Sequence, residues 1–144
     1  ARISPSSRLM ALHIRDFRQS DEAGLTRLCQ TGCLLGQGPA PGDPDRILIG
    51  LRAGNIAGAA WLRLQEDAGT LLAIVTASSG PWQSDALELI AEASLWLSSR
   101  GAPQIELKAI PTDPILLAGL EDMQFVPEGP RGVLRRQALS RSAA

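Results

Sequence analysis

The chain has 144 residues, 44% of them hydrophobic and 20% charged, with a formal net charge of −1. That length suits one domain with a real core. The charge gives no electrostatic drive toward nucleic acid or an anionic membrane, and no apolar run approaches the length of a membrane span.

Residues 1–11 are polar and lack the apolar block of a signal peptide, so they are expected to form a flexible tail, as are residues 140–144. A single domain is expected over residues 12–139. The two cysteines, Cys29 and Cys33, are too few for a disulfide framework. They fit a reducing compartment and set the expected location as the cytoplasm.

The stretch from Leu12 to Phe17, LHIRDF, alternates apolar and polar residues and predicts a first strand. A helix follows in SDEAGLTRLCQ, with Ser20 or Asp21 as its cap and Leu25, Leu28 and Cys29 on one face. The segment TGCLLGQGPAPGDPD is rich in Gly and Pro and reads as a loop. Two strands joined at Ala53-Gly54-Asn55 come next, then a turn at QEDAG and a strand over residues 70–77.

The clearest helix is predicted from Asp85 to Ser99. Leu87, Ile90, Ala91, Leu95 and Leu97 lie largely on one side, with Trp96 among the core residues. Asp85 and Glu88 make a capping-box pattern at its start, and Gly101 stops it. QIELKAI alternates in period two and predicts another strand. Asp113 then caps a short apolar helix with Pro114 at its first position. FVPEG and GVLRRQAL supply two final strands. Helices interleaved with a mixed sheet indicate an α/β (α+β) domain.

In this order the segments IRDFRQSDEAGLTRLC, IGLRAGNIAGAAWLRL and LWLSSRGAPQIELKAIPTDPILLAGLEDMQFVPEG resemble the GNAT superfamily of N-acetyltransferases. The resemblance runs from about His13 to Leu139. It implies a twisted mixed sheet in which one parallel strand pair splays apart. It also implies acetyl-CoA as cofactor and an amine as acceptor. Backbone groups of Ile74, Val75 and Thr76 would then face the pantetheine arm, with Ser79, Gly80 and Ser84 near the pyrophosphate. A GNAT-fold domain that binds a partner or ligand without catalysis is the alternative, and a homo-oligomer or partner domain is compatible with either.

The chain departs from the family pattern at two places. The pyrophosphate loop of pattern Arg/Gln-x-x-Gly-x-Gly/Ala has Ala77 at its first position and Trp82 at its last. Pro81 brings no amide hydrogen, and Asp85 brings a carboxylate to the helix start. The tyrosine that many members place in the last helix is Leu120, and the chain has no tyrosine. The family's second helix, which covers the acceptor, is reduced here to the short Gly/Pro-rich span. No catalytic residue is assigned.

The other candidates have plain structural readings. His13 reads as a sheet-edge imidazole, and Cys29 with Cys33 as buried thiols too few for a zinc shell. Glu66 and Asp67 form a turn pair that could lie near an acceptor amine, and Glu106 is a weaker base candidate. Trp82 is placed in a loop and expected to pack over the cofactor cleft. Arg131, Arg135, Arg136 and Arg141 read as a solvated basic tail.

Overall fold

The computed structural model describes residues 12–36, 44–65, 68–79, 81–108, 111–128 and 133–137. Chain order gives β1 (His13–Asp16), a 3-10 turn (Gln19–Asp21), α1 (Glu22–Thr31), β2 (Cys33–Gly36), β3 (Arg46–Arg52) and β4 (Asn55–Leu64). There follow β5 (Gly69–Thr76), α2 (Trp82–Ser99), β6 (Gln104–Leu107), α3 (Pro114–Asp122), β7 (Val126–Glu128) and β8 (Val133–Gln137). All eight strands join one mixed sheet of order β1-β3-β4-β5-β6-β8-β7, with β2 against β5. The α/β reading stands. No helix among the described residues is long and apolar enough to cross a membrane.

Period-two alternation along the strands feeds two cores, one on each face of the sheet. Leu48, Ala60, Leu62, Leu71 and Ile74 point toward α2 and α3. Ile49, Ala59, Trp61, Ala73 and Val75 point to the opposite face, where Leu25 and Leu28 of α1 cover them. Every residue of β5 is buried, as a central strand covered on both faces must be.

The local chemistry explains most of the boundaries. Ala53 and Gly54 both adopt positive φ (53° and 83°), the backbone that a two-residue hairpin turn needs, and so β3 reverses into β4. Asp113 caps α3 by accepting from the amides of Ile115 and Leu116, both at 3.0 Å. Gly101, at φ 95°, follows the end of α2.

Four sequence expectations need correction. Asp21 does not cap α1; its carboxylate turns back to the Arg15 guanidinium and the Arg18 amide, tying β1 to the start of the helix. The α2 helix begins at Trp82, so Asp85 lies inside its first turn and caps nothing. The buried stripe of α2 runs through Ala86, Leu89, Ile90, Ala93 and Leu97, whereas Leu95 is 52% exposed. Trp96 is half-buried, with the guanidiniums of Arg46 and Arg100 lying 4.7 and 5.2 Å from its ring centre, so cation–π contact shares the work of packing.

The fourth correction is a strand. Cys33–Gly36, inside the segment read as a loop, is β2 and runs antiparallel to the second half of β5. Of the C-terminal arginines, Arg136 lies over the Phe125 ring at 5.8 Å, and burial lowers its pKa, so that residue is packed rather than freely solvated. Arg131 and Arg141 lie outside the described residues, as do Gly80, Glu66 and Asp67.

Two predictions follow from this packing. Leu89→Ala removes a fully buried side chain and should cost about 2–5 kcal/mol, while Leu95→Ala should cost under about 0.5 kcal/mol. Chemical denaturation of both variants measures the contrast, and equal losses would restore the original helix face. The Arg15 hydrogen bonds hold the Asp21 carboxyl down at about 2, below its ordinary 3.8. A depressed carboxylate stabilises the fold above its unfolded pKa and loses that contribution as pH falls through the folded value. Between about pH 5 and pH 2 the melting temperature should therefore fall less in Asp21→Asn than in the wild type.

Candidate functional site

The parallel seam of the sheet lies between β5 and β6. The first half of β5 pairs in parallel with β6, from Gly69 opposite Ile105 to Leu71 opposite Leu107. Just past the paired residues, the Lys108 amide donates to the Leu71 carbonyl at 3.4 Å. On the other edge, Leu62 of β4 pairs with Leu71 but Trp61 pairs with Ala73, so Leu72 is an extra residue and the register slips there. Such a bulge bends its strand and increases the local twist. Beyond Leu71 this parallel edge of β5 passes from β6 to β2, and residues 109–110, which follow β6, lie outside the described residues.

Ile74, Val75 and Thr76 lie in the second half of β5, and all three are buried. Their outer edge is taken. Cys33 pairs with Thr76, Leu34 with Val75, Leu35 with Ile74 and Gly36 with Ala73. The chain enters this strand through Gly32, whose amide still closes α1 on the Leu28 carbonyl at 2.7 Å. A methyl group on Gly32 would sit 2.4 Å from the Thr76 carbonyl oxygen and 2.8 Å from that of Leu28. Only glycine allows the helix end to meet β5 this closely. The Ser78 hydroxyl reaches the Thr31 carbonyl at 3.4 Å and closes the same corner.

The junction between β5 and α2 carries the other predicted residues. Ser79 is exposed in the bend, and Ser84 is exposed in the first turn of α2. Trp82, the first helical residue, is half-buried against the α2-side core, so its indole serves packing as expected, though from the helix rather than a loop. Gln83 reaches the Asp113 carboxylate at 3.4 Å and links the starts of α2 and α3.

Asp85 has a partner that sequence reasoning missed. Its carboxylate is 1% exposed and receives both ends of the Arg52 guanidinium, one at 2.9 Å, in a bidentate pair. Arg52 ends β3 at the hairpin, so the pair fixes the first turn of α2 to the sheet. The free negative charge expected at the helix start is therefore neutralised. Glu88, one turn on, is pushed up by burial and by the nearby Asp85 charge, against the pull of Arg52.

The remaining candidates stay apart from this edge. His13 is exposed on edge strand β1. Glu106 sits opposite Thr70, where β5 and β6 are still joined. A hollow of about 440 Å³ opens between α1 and the sheet, lined by Phe17, Glu22, Leu25, Cys29, Ile47 and Trp61 among others. Burial raises the Cys29 pKa, which keeps its thiol protonated and unreactive. Among the described residues, no group of three or more His, Cys, Asp or Glu side chains could hold a metal ion.

No family model matches the sequence, and no curated protein matches it. Solved structures do share its fold. The ribosomal-protein-S18-alanine N-acetyltransferase of Escherichia coli superposes with a TM-score of 0.71 at 14% identity, over 92% of this chain and 98% of that one. A GNAT superfamily phosphinothricin acetyltransferase from Sinorhizobium meliloti, solved with AcCoA, gives 0.68 at 14% identity, over 94% and 92%. A GNAT family N-acetyltransferase of Escherichia coli, solved with CoA, gives 0.68 at 13% identity, over 96% and 86%. The fold is GNAT-like.

The Arg52–Asp85 pair yields a prediction. Arg52→Met strips the guanidinium from a buried carboxylate and should cost about 3 kcal/mol. Adding Asp85→Leu should restore most of that stability, since an apolar pair of similar volume removes both desolvation costs. Denaturation midpoints of the single and double variants test this. A double variant no more stable than Arg52→Met would refute it.

Proposed function

We propose that this chain is a divergent GNAT-type protein whose ligand is acetyl-CoA and whose chemistry is acyl transfer to an amine. One observation carries the reading: β5 and β6 run parallel, connected through α2, and among the described residues they are paired from Gly69 to Leu71 only, with α2 starting shortly after the other half of β5. Two of the similar structures hold CoA or AcCoA. In this reading backbone groups of Ile74, Val75 and Thr76 run along the pantetheine arm. Ser79, Gly80 and Ser84 serve the pyrophosphate, aided by the free amides of the first turn of α2.

The reaction would join the amine nitrogen to the acyl carbon, break the carbon–sulfur bond and release the thiolate of CoA. A water molecule would take the amine proton. Leu120 stands where many family members have a tyrosine acid, and it is buried in the core. No protein acid stands at that place, so the thiolate leaves unassisted; a thiol is acidic enough near neutral pH for this. The two free cysteines agree with a cytoplasmic setting, and the acceptor in this reading is an amine-bearing molecule rather than nucleic acid or membrane.

A non-catalytic domain of the same fold is the second reading. What favours it is the β2 strand on the β5 edge, together with Leu120 in place of an acid.

Binding should be weak. Pro81 lacks an amide hydrogen and Trp82 adds bulk, although Asp85 is neutralised by Arg52 and no longer repels the phosphates. Acetyl-CoA should bind with a dissociation constant of about 0.1 mM or higher, equivalent to about 5.5 kcal/mol or less. Calorimetric titration reads this directly. Micromolar binding would show a well-formed cradle, whereas no heat at millimolar ligand would leave the non-catalytic reading in possession.

A further inference from the structure

β2 occupies the place where the proposed ligand would lie. Both need the outer edge of β5 between Ala73 and Thr76, and one strand edge cannot pair with two extended chains at once. We infer that β2 is an internal competitor of the coenzyme: it leaves the β5 edge when the pantetheine arm binds and returns when the arm departs. The inference rests on the acetyl-CoA reading and adds to it a regulated site.

The docking is built in. Gly32 allows the closest approach in the corner, to the Thr76 carbonyl, and a side chain there would collide with backbone rather than with a flexible neighbour. Leu35 packs partly against the α2-side core. The Ser78 hydroxyl bonds the residue just before Gly32.

The docking is also small. β2 has four residues, and among the described residues it pairs with β5 alone. Cys33 and Leu35 are only half-buried, in contrast to the full burial of β5. Gly32 precedes the strand and Gly36 ends it, and glycine gains more chain freedom on release than any other residue. A short strand held on one edge, with a glycine before it and a glycine at its end, is suited to exchange.

Such a competitor lowers apparent affinity by the fraction of molecules in which it is undocked. If β2 is docked in about 99% of molecules, the cost is about 100-fold. This places part of the weak binding in the strand rather than in the phosphate loop.

Coenzyme A is the probe for the test. Gly32→Ala and Leu35→Asp undock β2 by two routes, one steric and one by charge, and hydrogen exchange with mass spectrometry reports whether residues 33–36 are released while β4 and α2 stay protected. The released variants should bind CoA at least tenfold more tightly than the wild type. In the wild type, saturating CoA should speed exchange at 33–36 and keep 73–76 protected. CoA bound to the wild type with 33–36 still protected would overturn the competition and leave the acetyl-CoA reading standing. A released variant that binds no more tightly than a binding wild type would also overturn it. If neither protein binds CoA with β2 shown to be released, the inference and the reading beneath it both fall.

Discussion

The structure turns on the edge of one buried strand. Leu72 is inserted in β5 against β4, and past that point the other edge of β5 passes from β6 to β2. The backbone groups of Ile74, Val75 and Thr76 are left inside the protein without their parallel neighbour. Buried amides and carbonyls must be paired, because an orphaned one costs about 1–3 kcal/mol. Something must therefore line that edge at all times, and in this structure it is β2. Fold and proposed function meet in that requirement, because the edge assigned to the ligand cannot stay unpaired.

A second constraint acts at the start of α2. A helix N-terminus attracts anions, and an open one beside a parted sheet is a natural phosphate site. Here the first turn carries a carboxylate of its own, inside the helix and paired with Arg52. The pair anchors the helix to the hairpin, and each charge needs the other because both are largely withdrawn from water. Trp82 packs the approach to the helix against the core, and Pro81 before it offers no amide hydrogen. The junction is thus better explained as a structural joint than as an anion cradle, which is why the strand edge, rather than the loop, is the more informative half of the site.

What could be read from the sequence was local. The Ala53-Gly54 turn, the Asp113-Pro114 cap and the two-residue alternation of β6 are decided by neighbours within a few positions, and all appear as expected. The parallel pair was legible because only one helix lies between its strands. Asp21 and Asp85 were misread because a carboxylate near a helix start looks like a cap whether or not a distant arginine claims it. The Leu95 error arose because periodicity gives a stripe but leaves its centre uncertain by about one position when apolar residues exceed what one face can bury. β2 was invisible for a different reason. Four residues ending in a glycine, in a span dense with proline and glycine, carry almost no strand signal, and their partner lies about forty residues away. Gly32 was the sole clue, and its meaning appears only beside Thr76.

Whether β2 is a fixed strand or an exchangeable one is a matter of balance. Ordering four residues costs about 4–8 kcal/mol of backbone freedom. A few strand hydrogen bonds return about 1 kcal/mol each, and half-burying Leu35 returns about 1 kcal/mol more. These terms nearly cancel, so the docked strand is held by a small margin, and the pairing need of β5 supplies that margin. A ligand whose amides satisfy the same edge removes the need at once, because it meets the backbone's demand without requiring the chain to be ordered. The strand and the ligand are then interchangeable solutions to one unsatisfied edge.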